Sequence, residues 1–155
     1  MMVNLKSFGG YLLSLLLMAF LPALCEEALF RGGLQNFLSR GSRSPWLAII
    51  VVSILFSIVH FSFYGFLPRL FLGIILGMIY YLTNNLWLSI LAHFFNNALA
   101  VSVAYVFYQQ GRPMTEVMNE DLSTSYWGLL MLPVLVLLLR SLKKSSNVNQ
   151  LPATD

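Results

Sequence analysis

Long apolar runs dominate this chain and constrain its fold more than any other feature. Several approach the roughly 20 residues that a helix needs to cross a bilayer, while the short alternating segments of a membrane β-barrel are absent. Of the 155 residues, 58% are hydrophobic and 10% are charged, and the mean hydropathy is +0.76. Because lipid cannot satisfy backbone polar groups, these runs predict an all-α, polytopic transmembrane helical bundle.

The apolar runs predict about five membrane spans within a single domain, residues 1–144. The spans are expected near residues 10–38, 46–60, 67–82, 86–108 and 126–139. Turns are expected at residues 39–45 and 83–85, a polar loop at 109–125, and a polar, disordered tail at 145–155. Pro22 should bend the first span, and Gly73 and Gly77, four residues apart, should let another helix of the bundle approach closely.

The basic residues indicate membrane topology instead of nucleic-acid binding. The net charge is +3, but the basic side chains are scattered and mostly flank apolar runs. Five of them, at positions 40, 43, 140, 143 and 144, fall on one predicted face, against three at positions 6, 69 and 112. This split favours the first face as cytoplasmic and places the amino terminus outside. We expect a multi-pass protein of the bacterial cytoplasmic membrane, with no nucleic-acid partner.

Two adjacent carboxylates stand inside the first apolar run. Ionisable groups at membrane depth are costly, so they usually face protein or a water cavity and mark function. Glu27 and Arg31 are four residues apart and should form an ion pair on one helix face, either as a structural pair or as support for a site. Glu26, about 100° round the helix, has no second cation to pair with and is the candidate catalytic group.

The two histidines of the chain lie on later apolar runs, His60 on the second and His93 on the fourth. Helical rise places both within about one turn of the depth of Glu26, together with Asn97, one turn after His93. Such a cluster suits hydrolysis of a carbonyl compound. The carboxylate can take a proton from water, one histidine can hold that water, and the other histidine with an asparagine amide can donate to an oxyanion. A serine nucleophile is not favoured, because Ser57 and Ser89 have no acid partner of their own.

Three ordered motifs carry a family resemblance: Glu26-Glu27-x-x-x-Arg31, Phe56-x-x-x-His60 and His93-x-x-x-Asn97. Together they resemble the CPBP family, the CAAX proteases and bacteriocin-processing (Abi) intramembrane proteases, over residues 10–108. Family members usually have further helices before the first motif, so we expect a minimal member or a chain that lacks its amino-terminal part.

The resemblance implies a role for each residue. Glu26 and His60 would activate the water, His93 and Asn97 would form the oxyanion site, and Glu27 with Arg31 would support them. Family members have been described as metal-independent glutamate proteases and as metalloproteases. We favour the first mechanism, which needs no cofactor. The alternative is zinc bound by Glu26, His60 and His93.

The resemblance implies a hydrophobic or lipid-modified, CAAX-like peptide as substrate, met within membrane lipid. The main alternative is a non-enzymatic bacteriocin-immunity or peptide-binding protein that uses the same polar cavity. A proton-coupled transporter is less favoured, because the sequence shows neither an internal repeat nor paired broken helices.

Overall fold

The computed structural model describes residues 7–42 and 44–111, and this part of the chain consists of four helices with short connections. The helices are α1 (Phe8–Ser42), α2 (Pro45–Ile58), α3 (Phe66–Thr83) and α4 (Leu86–Gln109). The first, third and fourth are long and apolar enough to cross a membrane, whereas α2 is a shorter apolar helix of 14 residues. The predicted helical class is confirmed for these residues. The predicted fifth span, polar loop and tail lie outside them, apart from the first residues of the loop.

Local capping residues explain where the helices begin. The hydroxyl of Ser7 accepts a hydrogen bond from the N–H of Gly10, and that of Ser44 accepts from the N–H of Leu47. Asn85 caps α4 through its side-chain oxygen. These are the residue types that satisfy the free N–H groups of a first helical turn. The chain turns between α3 and α4 through Asn84, which ends α3 in the left-handed conformation, φ 49°.

Two predicted boundaries were wrong. The first helix continues to Ser42 instead of ending near residue 38, and the hydroxyl of Ser42 donates to the carbonyl of Leu38 at 2.7 Å within its last turn. The second helix ends at Ile58, and His60 lies in the turn that follows. The imidazole of His60 still stacks over the preceding turn, because its Nδ1 lies 2.7 Å from the carbonyl oxygen of Phe56.

Helix α1 contains two π-helical segments, Leu15–Phe20 and Ala28–Gln35, on either side of the α-helical segment Leu21–Glu27. Pro22 lacks the N–H that would bond to the carbonyl of Met18. Just before it, the N–H of Leu21 bonds to the carbonyl of Leu16, five residues back. The wider turns change the direction in which later side chains point, so the faces of α1 do not follow a single 3.6-residue repeat.

The polarity of the bundle is inverted relative to a water-soluble protein. Many large apolar side chains of all four helices are exposed, as expected of surfaces that face lipid. The buried positions include a set of polar or charged side chains: Ser14, Glu27, Arg31, Gln35, Ser53, Ser57, Ser89 and His93. With three helices long enough to span a bilayer, this pattern identifies an integral membrane protein.

The two glycines of α3 allow close packing inside the bundle, as predicted. A Cβ at Gly73 would lie 3.0 Å from the Cβ of Ser53, and a Cβ at Gly77 would lie 3.1 Å from Cγ2 of Ile49, both on α2. Helix α1 packs on the same surface, since Gln35 Nε2 donates to the carbonyl of Gly77 at 2.9 Å. Small residues therefore bring the backbone of α3 within reach of polar side chains from α1.

Candidate active site

Among the buried polar and charged side chains of the bundle, Glu27 makes the most hydrogen bonds. Its Oε1 accepts from Nη1 of Arg31 at 2.7 Å and lies 2.9 Å from Nδ1 of His93. Its Oε2 accepts from the hydroxyl of Ser89 at 2.5 Å. The carboxylate is completely buried, and the three donors come from two different helices. Glu27 therefore joins α1 to α4 and leaves little room for a reactant.

The predicted ion pair between Glu27 and Arg31 is present, and the other terminal nitrogen of the arginine is also bonded, whereas its buried Nε has no hydrogen-bond partner. Nη2 of Arg31 donates to the carbonyl of Gly73 at 3.0 Å, and the guanidinium carbon lies 4.9 Å from the centroid of the Phe56 ring. The side chain is completely buried. Arg31 thus connects α1 with both α2 and α3.

Glu26 faces the two histidines. Its Oε2 lies 3.9 Å from Nε2 of His60 and 3.8 Å from Nε2 of His93. The side chain of Glu26 is 30% exposed and that of His60 is 28% exposed, whereas His93 is buried. The same oxygen has no hydrogen-bond partner. Helices α1 and α4 and the turn after α2 therefore bring Glu26, His60 and His93 together.

The tautomers of the histidines follow from what their Nδ1 atoms contact. Nδ1 of His60 meets the carbonyl of Phe56 and Nδ1 of His93 meets the carboxylate of Glu27, and both partners are acceptors. Each Nδ1 must therefore carry a proton. In a neutral ring, Nε2 would then be a hydrogen-bond acceptor, as is the carboxylate oxygen of Glu26 that it faces. A group that donates hydrogen bonds or carries positive charge is therefore needed beside the carboxylate of Glu26.

Asn97 lies on α4 one turn after His93. The hydrogen bond that the structure gives its side chain is from Nδ2 of Asn96 to Oδ1 of Asn97, at 3.3 Å. This bond occupies the acceptor oxygen of Asn97 and leaves its amide N–H groups available as donors. The structure gives no hydrogen bond between Asn97 and the other five candidate residues.

The donor set of a zinc site would be Glu26, His60 and His93. In the described ranges, no group of three or more His, Cys, Asp and Glu side chains is placed so that it could hold a metal ion. The expectation of a mechanism without a cofactor, with zinc as the alternative, stays a prediction.

Helix α2 is too short to cross a hydrocarbon core, which bears on how water could reach Glu26 and His60. Fourteen residues rise about 21 Å, which is less than the roughly 30 Å of a hydrocarbon core. If α2 begins at one membrane face, the connection 59–65 that follows it lies within the hydrocarbon core. Irregular backbone is tolerated at that depth only where it is buried in protein or borders water. Together with the partial exposure of Glu26 and His60, this favours a water-filled entrance at the connection.

The prediction that Ser89 has no acid partner was wrong, because its hydroxyl donates to Glu27, and Gly73 was singled out only for packing. Ser89 donates to Glu27 from 62 positions along the chain, and Gly73 contributes a backbone carbonyl to Arg31. The spacing of Ser89 and His93, four residues apart on one apolar helix, was the available signal.

Comparison with protein-family models gives a match over much of the chain. The family model described as Rce1-like, type II CAAX prenyl endopeptidase, matches residues 8–99. Neither the curated proteins nor the solved structures that were compared contain a significant match. The matched region contains all three motifs and all four described helices except the end of α4. The chain therefore belongs to the Rce1-like family of type II CAAX prenyl endopeptidases.

Proposed function

We propose that this chain is an intramembrane endopeptidase in which Glu26 activates a water molecule to hydrolyse a peptide bond. The substrate is a membrane-embedded or lipid-modified peptide of the CAAX class, and the proposed location is the bacterial cytoplasmic membrane. The observation that carries the proposal is the convergence of one buried, unpaired carboxylate oxygen of Glu26 with the Nε2 atoms of two histidines, at a side chain that is itself 30% exposed.

Charge balance supports a division of roles between the two histidines. Two ionised carboxylates lie side by side, and Arg31 supplies one positive charge. A second proton on His93 would supply the other, since its ring lies between Glu27 and Glu26. A neutral cluster avoids the large cost of unbalanced charge in a medium of low dielectric constant. We therefore assign a positive charge to His93 and a neutral ring to His60.

In this arrangement, the water lies between Oε2 of Glu26 and Nε2 of His60. It donates one hydrogen to each, and its lone pair attacks the scissile carbonyl carbon while Glu26 takes the proton. The distance of 3.9 Å between the two acceptors is suitable for a bridging water. General base catalysis of this kind contributes about 10²- to 10⁴-fold to a rate.

The negative oxygen of the tetrahedral intermediate would receive hydrogen bonds from Nε2–H of His93 and from the amide of Asn97. Glu26 then returns its proton to the leaving amine, the C–N bond breaks, and one carboxylic acid and one amine result from one peptide and one water. Glu27, held by three donors, keeps His93 in place and charged without touching the substrate.

The alternative of a non-enzymatic binding or immunity protein is not favoured by the family match. The experiment that separates the two uses purified protein in phospholipid vesicles and a prenylated peptide that ends in Cys-a-a-X. Mass spectrometry should find two fragments from cleavage at one bond. When the reaction is run in labelled water, the fragment with the new carboxyl terminus should carry one ¹⁸O atom. Binding of the intact peptide without fragments would support the alternative instead.

A further inference from the structure

Arg69, on the first turn of α3, carries a positive charge that has no partner in the described part of the chain. Its Nη1 is buried and makes no hydrogen bond, and the structure gives no ion pair for this side chain within residues 7–42 and 44–111. Arg69 as a whole is only partly buried, but a buried N–H donor of a charged group is costly when it has no partner. The position therefore suits an anion.

The guanidinium of Arg69 lies against the connection that begins at His60. A Cβ at Gly65 would overlap Nη1 of Arg69 and lie 3.0 Å from the hydroxyl of Ser62. The arginine can thus rest on the backbone only because position 65 has no side chain. Ser62 is two residues after His60, and two residues span at most about 7 Å. The cation therefore lies against the same short connection that carries His60.

Two further features favour an anion at this place. Helix α3 begins at Phe66 without a side-chain cap, and the positive end of its dipole lies beside Arg69, although the N–H of Phe66 already bonds to the carbonyl of Phe63 and Pro68 has no N–H. The connection also presents the exposed rings of Phe61, Phe63 and Tyr64, which can exclude water from a bound chain. A charge-assisted hydrogen bond is strongest where water is excluded.

The substrate class supplies an anion close to the bond that is cut. A Cys-a-a-X sequence is a carboxyl terminus, with the prenylated Cys four residues from the end. An endopeptidase that cuts within it acts close to a free α-carboxylate, since three extended residues span about 10 Å. We propose that Arg69 binds the carboxyl-terminal carboxylate of the substrate and so selects peptides that end a few residues beyond the cut bond. This inference rests on the proposed function.

The test compares two peptides that differ only at the carboxyl terminus, one a free acid and the other a carboxamide. For the wild type, kcat/KM for the acid should exceed that for the amide by about ten- to a hundredfold, the range of a hydrogen bond to a charged group. Arg69→Gln should reduce this ratio to about one.

Gly65→Ala should also lower the ratio, because the added methyl group occupies the place of Nη1. The φ of −84° at Gly65 permits alanine. Arg40→Gln removes the same charge from the exposed end of α1 and should keep the wild-type ratio.

Binding of the same two peptides to the Glu26→Gln variant, measured by fluorescence anisotropy, gives a readout that does not depend on hydrolysis. The inference is supported if this variant binds the acid more tightly than the amide and loses that preference when Arg69→Gln is added. If the preference is found but the wild type cleaves neither peptide, only the proposed function fails. Equal binding and equal cleavage of acid and amide by the wild type would overturn the inference. Arg69→Gln could instead weaken binding and cleavage equally for both peptides, and only in anionic vesicles. That result would also overturn the inference and would assign Arg69 to a lipid phosphate.

Discussion

Nδ1 of His93 and Oε1 of Glu27 form a 2.9 Å hydrogen bond that joins α4 to α1 inside the bundle. The bond fixes the ring so that its other nitrogen, Nε2, faces Glu26. A carboxylate that orients a histidine in this way sets its tautomer and stabilises its positive charge. In the proposed mechanism the two neighbouring glutamates therefore have different tasks, since Glu27 holds the histidine and Glu26 would face the reactants.

Glu27→Gln should destabilise the protein as well as inactivate it. The change leaves the buried Arg31 without a balancing charge, which costs about 3–5 kcal/mol when a buried pair is broken. The free energy of unfolding in detergent should fall by that amount, whereas Glu26→Gln should stay within about 1 kcal/mol of wild type. Equal stability of the two variants would contradict the division of tasks.

Ser89→Ala should weaken the support of Glu27. The change removes the hydroxyl that donates to Oε2 and leaves a buried oxygen with one partner fewer, at a cost of about 1–3 kcal/mol. Thermal unfolding and kcat should both decrease. Ser53→Ala is the matched control, because the hydroxyl of Ser53 is equally buried but bonds only within its own helix, to the carbonyl of Ile49. Similar effects of the two changes would refute a specific role for Ser89.

Gly73→Ala should disturb both helix packing and the position of Arg31. The new methyl group would lie 3.0 Å from the Cβ of Ser53, and the carbonyl that accepts from Arg31 would move with the backbone. Overpacking of this kind costs about 1–3 kcal/mol. Gly41→Ala has open space around it and should leave stability and cleavage unchanged. A wild-type melting temperature for Gly73→Ala would show that α2 and α3 can separate freely.

Asn97→Ala should slow the reaction without changing the fold. Loss of one oxyanion donor lowers kcat by about 10²- to 10³-fold with little change in KM. Asn96→Ala removes only the bond that orients the neighbouring amide, so its effect should be nearer tenfold. Steady-state kinetics of the two variants test this order. A normal kcat for Asn97→Ala would remove this residue from the oxyanion site.

Local spacing predicted the parts of the site that lie on one helix. Glu27 and Arg31 pair because four residues bring side chains onto one helix face. The meeting of Glu26, His60 and His93 was expected from similar depths in the membrane, and the three side chains do lie together. Their catalytic roles remain predictions.

Contacts between helices were harder to predict, because they depend on how each helix is rotated about its axis. The bond from Ser89 to Glu27 requires one particular rotation of α4 against α1, and the π-helical turns of α1 alter the faces that its sequence suggests. The early end of α2 was missed because Val59 and His60 continue its apolar and aromatic pattern, whereas the backbone turns after Ile58.

The most direct test of the central claim is cleavage of a quenched fluorescent, prenylated Cys-a-a-X peptide by wild type and Glu26→Gln side by side, each with and without a metal chelator. The two side chains are nearly the same shape, but glutamine cannot take a proton from water. We predict that wild type cleaves equally well with and without chelator, and that Glu26→Gln is folded and inactive in both. Normal cleavage by Glu26→Gln would contradict the role of Glu26, and loss of wild-type activity in chelator that added zinc restores would replace the metal-free mechanism.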